Sequence, residues 1–345
     1  MQLSGRPLLD NAADNALFAG RKQILVKLQQ SLKAGYNCLV SGPPGSGKTS
    51  SVRALMYRLH HGPTPWPVIF VRANEAASAG DVLQLVLQSL DYGERNDDRP
   101  PASLPSVQLV DQLAERVKAR LDQARVSQLI VIEDIKAAAG LALFGGVRDE
   151  VWQIDAQWVV TTSSSHAAGL RQPPADVFFE TAVELGPLTP DEGADLLRRR
   201  MTDQEFADLW DFVPAGALET PRRLIEVARE LTEAPAVGGS RLNISRGLEA
   251  RRVALAAQSR PAQMLAQELE VLGWASASDE RLLARLGWTR PRVVQVMAEL
   301  ELGGLVDMRE ESTGRGRPRK LYRLKPITEF VDPTDPGAPN GPESP

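Results

Sequence analysis

The chain has 345 residues, 43% of them hydrophobic and 24% charged, a balance typical of globular domains and enough length for two or three cores. One cysteine (Cys38) and three histidines (His60, His61, His166) exclude a disulfide framework and a zinc ribbon. The longest apolar stretch, Ala137 to Val147, is broken by glycine and too short for a bilayer. The segment MQLSGRPLLDN shows no basic-then-apolar secretion pattern, so the expectation is a cytoplasmic protein with no membrane partner.

Hydrophobic runs alternate with helical patterns from Leu17 to about Leu185, the signature of parallel strands joined by crossover helices. Strands are expected at Asn37 to Ser41, Val68 to Arg72, Leu129 to Glu133, Trp158 to Thr162 and Thr181 to Leu185. Helices are expected at Lys48 to His60, Asp81 to Leu90 (with Asp81 as N-cap), Ser106 to Ala124 and Phe144 to Ile154. The proline-rich, charged stretch Glu94 to Pro105 reads as a surface loop.

Right after the first strand, Gly42-Pro43-Pro44-Gly45-Ser46-Gly47-Lys48-Thr49 fits G-x-x-x-x-G-K-[ST]. Glycines let backbone N–H groups converge on phosphate oxygens, Lys48 reaches the β and γ phosphates of ATP, and Thr49 gives a hydroxyl to Mg²⁺, with Ser50 following. The third strand ends in Glu133-Asp134, where the usual order is Asp for the magnesium shell and Glu for the attacking water. With the order inverted, Glu133 is assigned to magnesium and Asp134 to the water; a register shifted by one exchanges the roles. The shorter base points to slow hydrolysis or a nucleotide switch.

The fourth strand ends in hydroxyls, and Thr161 or Thr162 could touch the γ-phosphate or its water. Arg171 lies just before the fifth strand, where it could reach a neighbouring subunit's nucleotide. Beyond Leu185 the pattern turns all helical to about Leu231, with Thr189-Pro190 and Thr220-Pro221 each placing a capping hydroxyl before a first-turn proline. An arginine of Thr220-Pro221-Arg222-Arg223 could fold onto the phosphates, Arg222 first and Arg223 second.

The order Phe18-Ala-Gly20-Arg21-Lys22, Gly-rich loop, acidic strand, hydroxyl strand, VELGPLTPDEGADLLRRR and ETPRRL resembles the AAA+ ATPases of the initiator (origin-recognition) clade and the related STAND signalling ATPases. The resemblance covers about residues 17–232. It implies that Gly20-Arg21 packs near adenine, that Thr161 or Thr162 is sensor 1 and that Arg222 is sensor 2. The Glu-Asp order departs from the family, as does the lack of any histidine after His166.

A Gly-Gly break at 238–239 precedes helical sequence from about Asn243 to Val271, bent before Pro261. The formal charge of −4 hides an asymmetry: Trp274 to Pro326 carries eleven Lys/Arg against seven Asp/Glu, which suggests a polyanion partner. Helices at Ala262 to Leu272, Asp279 to Leu286 (Ser278 as N-cap) and Arg290 to Leu302, then strands at Leu305 to Arg309 and Lys320 to Leu324, resemble a winged helix-turn-helix. Its second helix would aim Arg290, Arg292 and Gln295 at base edges, and the wing would lay Arg315, Arg317, Arg319 and Lys320 along the phosphates. Trp274 and Trp288 are expected in its core.

The expected architecture is an α/β P-loop NTPase core with a parallel sheet (1–187), a helical lid (188–236), a linker helix with a winged helix-turn-helix (241–326) and a disordered tail (327–345). The expected function is ATP binding and hydrolysis with duplex DNA as partner, nucleotide state controlling homo-oligomer assembly or DNA engagement. The alternative is a STAND-like switch whose winged helix contacts an effector protein.

Overall fold

In a parallel sheet covered on both faces, strands read as unbroken apolar runs, because neither face meets water. Five segments form a parallel sheet whose inner strands meet that condition in the computed structural model, which describes residues 3–63, 65–90, 106–124, 128–233, 238–311 and 319–330. They are β1 Cys38–Gly42, β2 Val68–Arg72, β3 Gln128–Glu133, β4 Ala156–Ser163 and β5 Thr181–Glu184. All pair in parallel, in the order β2-β3-β4-β1-β5. Every residue of β1 and β3 is buried.

The helices of this α/β unit, built from residues 7–42 and 48–185, are α1 Ala12–Leu17, α2 Lys22–Lys33, α3 Lys48–His60, α4 Ala79–Leu90, α5 Ser106–Ala124, α6 Ala137–Leu141, α7 Arg148–Trp152 and α8 Ser164–Leu170. The two-residue period of a strand divides its side chains between two cores. Leu39, Ile130, Ile132, Trp158 and Val160 join one cluster with Val82, Val117, Phe144 and Phe178. Val40, Leu129, Val131 and Val159 join the other with Leu25, Leu28 and Leu55. Cys38 is fully buried there, and its thiol is pushed up to about 12, chiefly by burial, so it is inert.

Three expectations change. The helix at Phe144 to Ile154 is instead α6, a π-helical turn at Ala142–Gly146 and the five-residue α7. A Cβ at Gly145 would stand 3.1 Å from Pro174 Cγ, so a larger residue in the widened turn would require Pro174 to give by a few tenths of an ångström. Asp81 lies inside α4, where its Oδ2 accepts from the Ala77 and Ser78 amides, while Ser78 Oγ accepts from the Asp81 amide. β4 runs one residue beyond Thr162, to Ser163.

The second unit contains residues 186 onward together with 43–47 and those before 7. Its first helices are α9 Pro190–Arg198, α10 Asp203–Trp210 and α11 Pro221–Glu233. Thr189 with Glu192 and Thr202 with Glu205 form reciprocal capping boxes at α9 and α10. Next come α12 Gly238–Ala256 and α13 Arg260–Leu272. The glycine pair expected as a break opens α12, and the bend before Pro261 is a full stop at Ala256 with a restart capped by Ser259.

α13, α14 Glu280–Leu286, α15 Arg290–Leu302 and the antiparallel hairpin β6 Val306–Glu311 with β7 Arg319–Leu324 share one core of Leu265, Leu269, Leu282, Val293, Met297 and Tyr322. A single bridge, Ala275 to Tyr322, adds a third strand position and gives the arrangement of a winged helix. Asp279 caps α14, correcting Ser278. Arg315, Arg317, the Glu94 to Pro105 loop and the tail from Val331 lie outside the described residues, whereas Ile327–Phe330, expected in the disordered tail, is a short 3-10 helix.

Candidate nucleotide and nucleic-acid sites

β1 ends at Gly42 and α3 starts at Lys48. Between them the Ser46 amide donates to the Pro43 carbonyl at 3.2 Å, and Gly45 and Gly47 take φ of +79° and +92°, a region open to glycine at little cost. Gly45 is doubly constrained, since a Cβ there would meet Arg222 Cβ at 2.9 Å. Lys48 Nζ donates to the Gly42 carbonyl at 2.8 Å, which folds the ammonium back to the end of β1. The first turn of α3 adds a positive dipole end. Ser46 is fully buried, and its Oγ has no hydrogen-bond partner among the described residues. An orphan hydroxyl inside such a loop suits a phosphate oxygen, so the residues fit a nucleotide.

Glu133 closes β3 and is buried; its Oε2 accepts from Arg72 Nε at 3.1 Å. The next residue, Asp134, is exposed and takes φ of +59°, a left-handed turn that costs an ordinary residue about 1–2 kcal/mol and Asp less. Its amide donates to Thr161 Oγ1 at 2.9 Å, while Thr162 Oγ1 donates to the Ile135 carbonyl at 2.7 Å. Both hydroxyls expected as sensors therefore hold the turn that aims the two acids apart. Ser163, beyond the expected strand end, is the residue in register with Gly42. Burial holds the nearby His166 imidazole below its usual range, so it is neutral at physiological pH.

Arg171, expected to reach a neighbouring subunit, instead turns into its own chain: Nη2 donates to Ser41 Oγ at 2.8 Å and Nη1 to Glu184 Oε2 at 3.2 Å. Arg21 is buried in the left-handed region, φ +53°, after Gly20 at +67°, where the chain enters α2.

In the second unit, Thr220 caps α11 by accepting from the Arg223 amide at 3.1 Å, and the Arg222 amide donates to the Gly45 carbonyl at 3.3 Å. Arg223 points elsewhere. Its Nη1 pairs with Glu270 of α13 at 3.2 Å, and Arg251 of α12 pairs with the same carboxylate oxygen at 2.6 Å. Pro44, Arg222, Arg223, Glu226 and Glu270 line a cavity of about 140 Å³. Burial, with the Glu270 charge adding to it, holds the half-buried Glu226 above the usual carboxylate range.

On α15, Val293, Val296, Met297 and Leu300 are buried, while Arg290, Arg292 and Gln295 are exposed. Arg292 Nη1 donates to Gln295 Oε1 at 2.9 Å, as side chains three apart on a helix can. The hairpin is less basic than its arginines suggest. Glu310 stands opposite Lys320 and Glu311 opposite Arg319 in register, and Arg319 Nε donates to Ser276 Oγ at 2.6 Å. Trp274, expected in the core, is half-buried with the guanidiniums of Arg309 and Arg323 at 4.4 and 4.8 Å from its ring centroid. Trp288 packs against the core as expected.

The parallel sheet, the phosphate loop and the helix that springs from it define a P-loop NTPase fold. Residues 31–151 match the family model described as an AAA domain. Similar solved structures include the Aeropyrum pernix ORC1 protein in complex with DNA, at 19% identity and a TM-score of 0.48, with 91% of this chain and 90% of that chain covered. Cdc6p from Pyrobaculum aerophilum matches at 15% identity and 0.45, covering 90% and 91%. A variant of RuvB from Thermotoga maritima matches at 18% identity and 0.39, covering 89% and 93%. None of the curated proteins matches the chain.

Proposed function

We propose that this is an ATP-binding AAA+-type protein that hydrolyses ATP with Mg²⁺ and binds duplex DNA through its winged helix, nucleotide state controlling DNA engagement or assembly of a homo-oligomer. One observation carries the reading. The first turn of α11 touches the phosphate loop through Arg222 and α13 of the winged helix through Arg223. A nucleotide that draws on Arg222 changes the hold of Arg223 on Glu270, and a ligand shifts an equilibrium only through such differential contacts.

Lys48 and the loop amides bind phosphate, and Thr49 and Glu133 supply the hydroxyl and carboxylate oxygens that suit Mg²⁺, which takes the rest of its shell from phosphate and water. The cation, when bound, neutralises charge on the transferred phosphoryl group. Asp134, turned away from Glu133 and exposed, orients the water. Ser163 joins Thr161 and Thr162 as a strand-end hydroxyl, while Arg171 holds the end of β1 through Ser41. Arg290, Arg292 and Gln295 face the DNA.

The test is duplex binding by anisotropy at several salt concentrations, with and without ATP. ATP should change the affinity of the wild type. Arg223→Ala should keep ATP binding and lose that dependence, and Arg292→Ala should weaken binding by about tenfold, or about 1.4 kcal/mol. The second reading, a STAND-like switch in which the winged helix contacts an effector protein, is favoured by Val294 and Leu302, 51% and 90% exposed on the outer side of α15. Absence of duplex affinity at every salt concentration selects it.

A further inference from the structure

Arg72 belongs to no motif, yet it is the side chain that meets Glu133. β2 and β3 run parallel, with Arg72 and Glu133 as Cα partners at their last positions, so the two side chains leave the sheet on the same face. The Glu133 side chain is 9% exposed. A carboxylate that far out of water needs a counter-ion or a metal beside it.

Arg72 supplies the counter-ion through one Nε–H···Oε2 contact at 3.1 Å rather than the two-pronged fork of which an arginine is capable. Its side chain is 65% exposed, so the guanidinium is already largely solvated and can swing into water at little desolvation cost of its own. Glu133 cannot follow. It is fixed in the strand, its carbonyl accepts from the Ala73 amide at 2.8 Å, and the left-handed turn at Asp134 follows at once. The pair is therefore asymmetric, with a rigid buried acid and a movable exposed base.

We propose that Arg72 is a positioning residue of the cation site: it holds the Glu133 carboxylate in the nucleotide-free chain and yields it when Mg²⁺ arrives with the nucleotide. This rests on the reading of Glu133 as the magnesium acid. Arg72 neutralises an oxygen that the metal would use, so it competes with the metal and sets how much Mg²⁺ the site requires. It also selects Glu133 over the exposed Asp134 for that role, because Asp134 has no place in the β2–β3 register.

The experiment titrates Mg²⁺ into the full chain with a fluorescent ATP analogue and reads nucleotide binding by anisotropy, for wild type, Arg72→Ala, Arg72→Gln, Glu133→Gln and Arg72→Ala with Glu133→Gln. Both Arg72 variants should lower the half-saturating Mg²⁺ concentration by about fivefold, which converts to about 1 kcal/mol. Arg72→Ala should have no further effect in the Glu133→Gln background. Arg72→Gln keeps most of the side chain's length and polarity, so it guards against misfolding of Arg72→Ala. A wild type that needs Mg²⁺, with Arg72 variants that need as much or more, overturns the competition while leaving the magnesium reading in place. A wild type whose nucleotide binding ignores Mg²⁺, or that binds none, fails the reading beneath and this proposal with it.

Discussion

The phosphate loop and the winged helix hold their functional groups by different means. In the loop, backbone conformation sets the chemistry: two glycines at positive φ, an orphan Ser46 hydroxyl and a lysine folded onto Gly42 come from eight consecutive residues. In the winged helix, surface side chains carry the chemistry, and neighbours distant in sequence restrain them, as Ser276 restrains Arg319 and Arg309 and Arg323 flank Trp274. Loss of one loop group should therefore abolish a function, whereas loss of one winged-helix group should only weaken it.

The sharpest way to break that contrast is Lys48→Ala. Its ammonium makes charge-assisted contacts to phosphate worth about 1.5–3 kcal/mol each, so the variant should lose on the order of a hundredfold or more in ATP affinity by titration calorimetry. Comparable loss from Arg222→Ala would place the main phosphate cation on α11 instead and erase the distinction between loop and helix.

A smaller effect separates scaffold from chemistry inside the α/β unit. Thr162 is fully buried and donates to the Ile135 carbonyl. Thr162→Val keeps the volume and removes one donor to that carbonyl, at a cost of about 0.5–1.5 kcal/mol. Urea unfolding should show this loss while ATP affinity stays within about twofold. A large fall in ATP turnover with unchanged stability would instead mark Thr162 as a sensor of the nucleotide.

The loop is legible in the sequence because every determinant of its shape lies within one octapeptide. Strand centres are legible too, since residues buried on both faces read as apolar runs. What the sequence hides is lateral. Arg72 precedes Glu133 by 61 residues and meets it only because β2 lies beside β3 in register, and no local period encodes that neighbour. The Ala275 bridge is too short to leave a pattern. The break in the Ala137 to Ile154 pattern is a π turn, which shifts the helical phase without any proline to announce it. Trp274 looks like core by composition; its place beside two guanidiniums follows from the hairpin register.

The smallest expected effect concerns an acid beside Arg223. In the folded unit, burial and then the Glu270 charge raise the Glu226 carboxyl above its usual 4.5, partly offset by Arg223, Arg222 and Arg229. The folded state therefore binds this proton more tightly than the unfolded chain, and ionisation of Glu226 lowers stability. That penalty is complete above the raised pKa and fades as pH falls through it toward 4.5, where folded and unfolded chains both take up the proton. Glu226→Gln has no such proton to lose. It should melt higher than wild type at about pH 8, and the two melting curves should approach one another on acidification. A gap that instead widens as pH falls would mean that the ionised Glu226 stabilises the cluster through its arginines, and that α11 is held to the winged helix by more than the Arg223 to Glu270 pair.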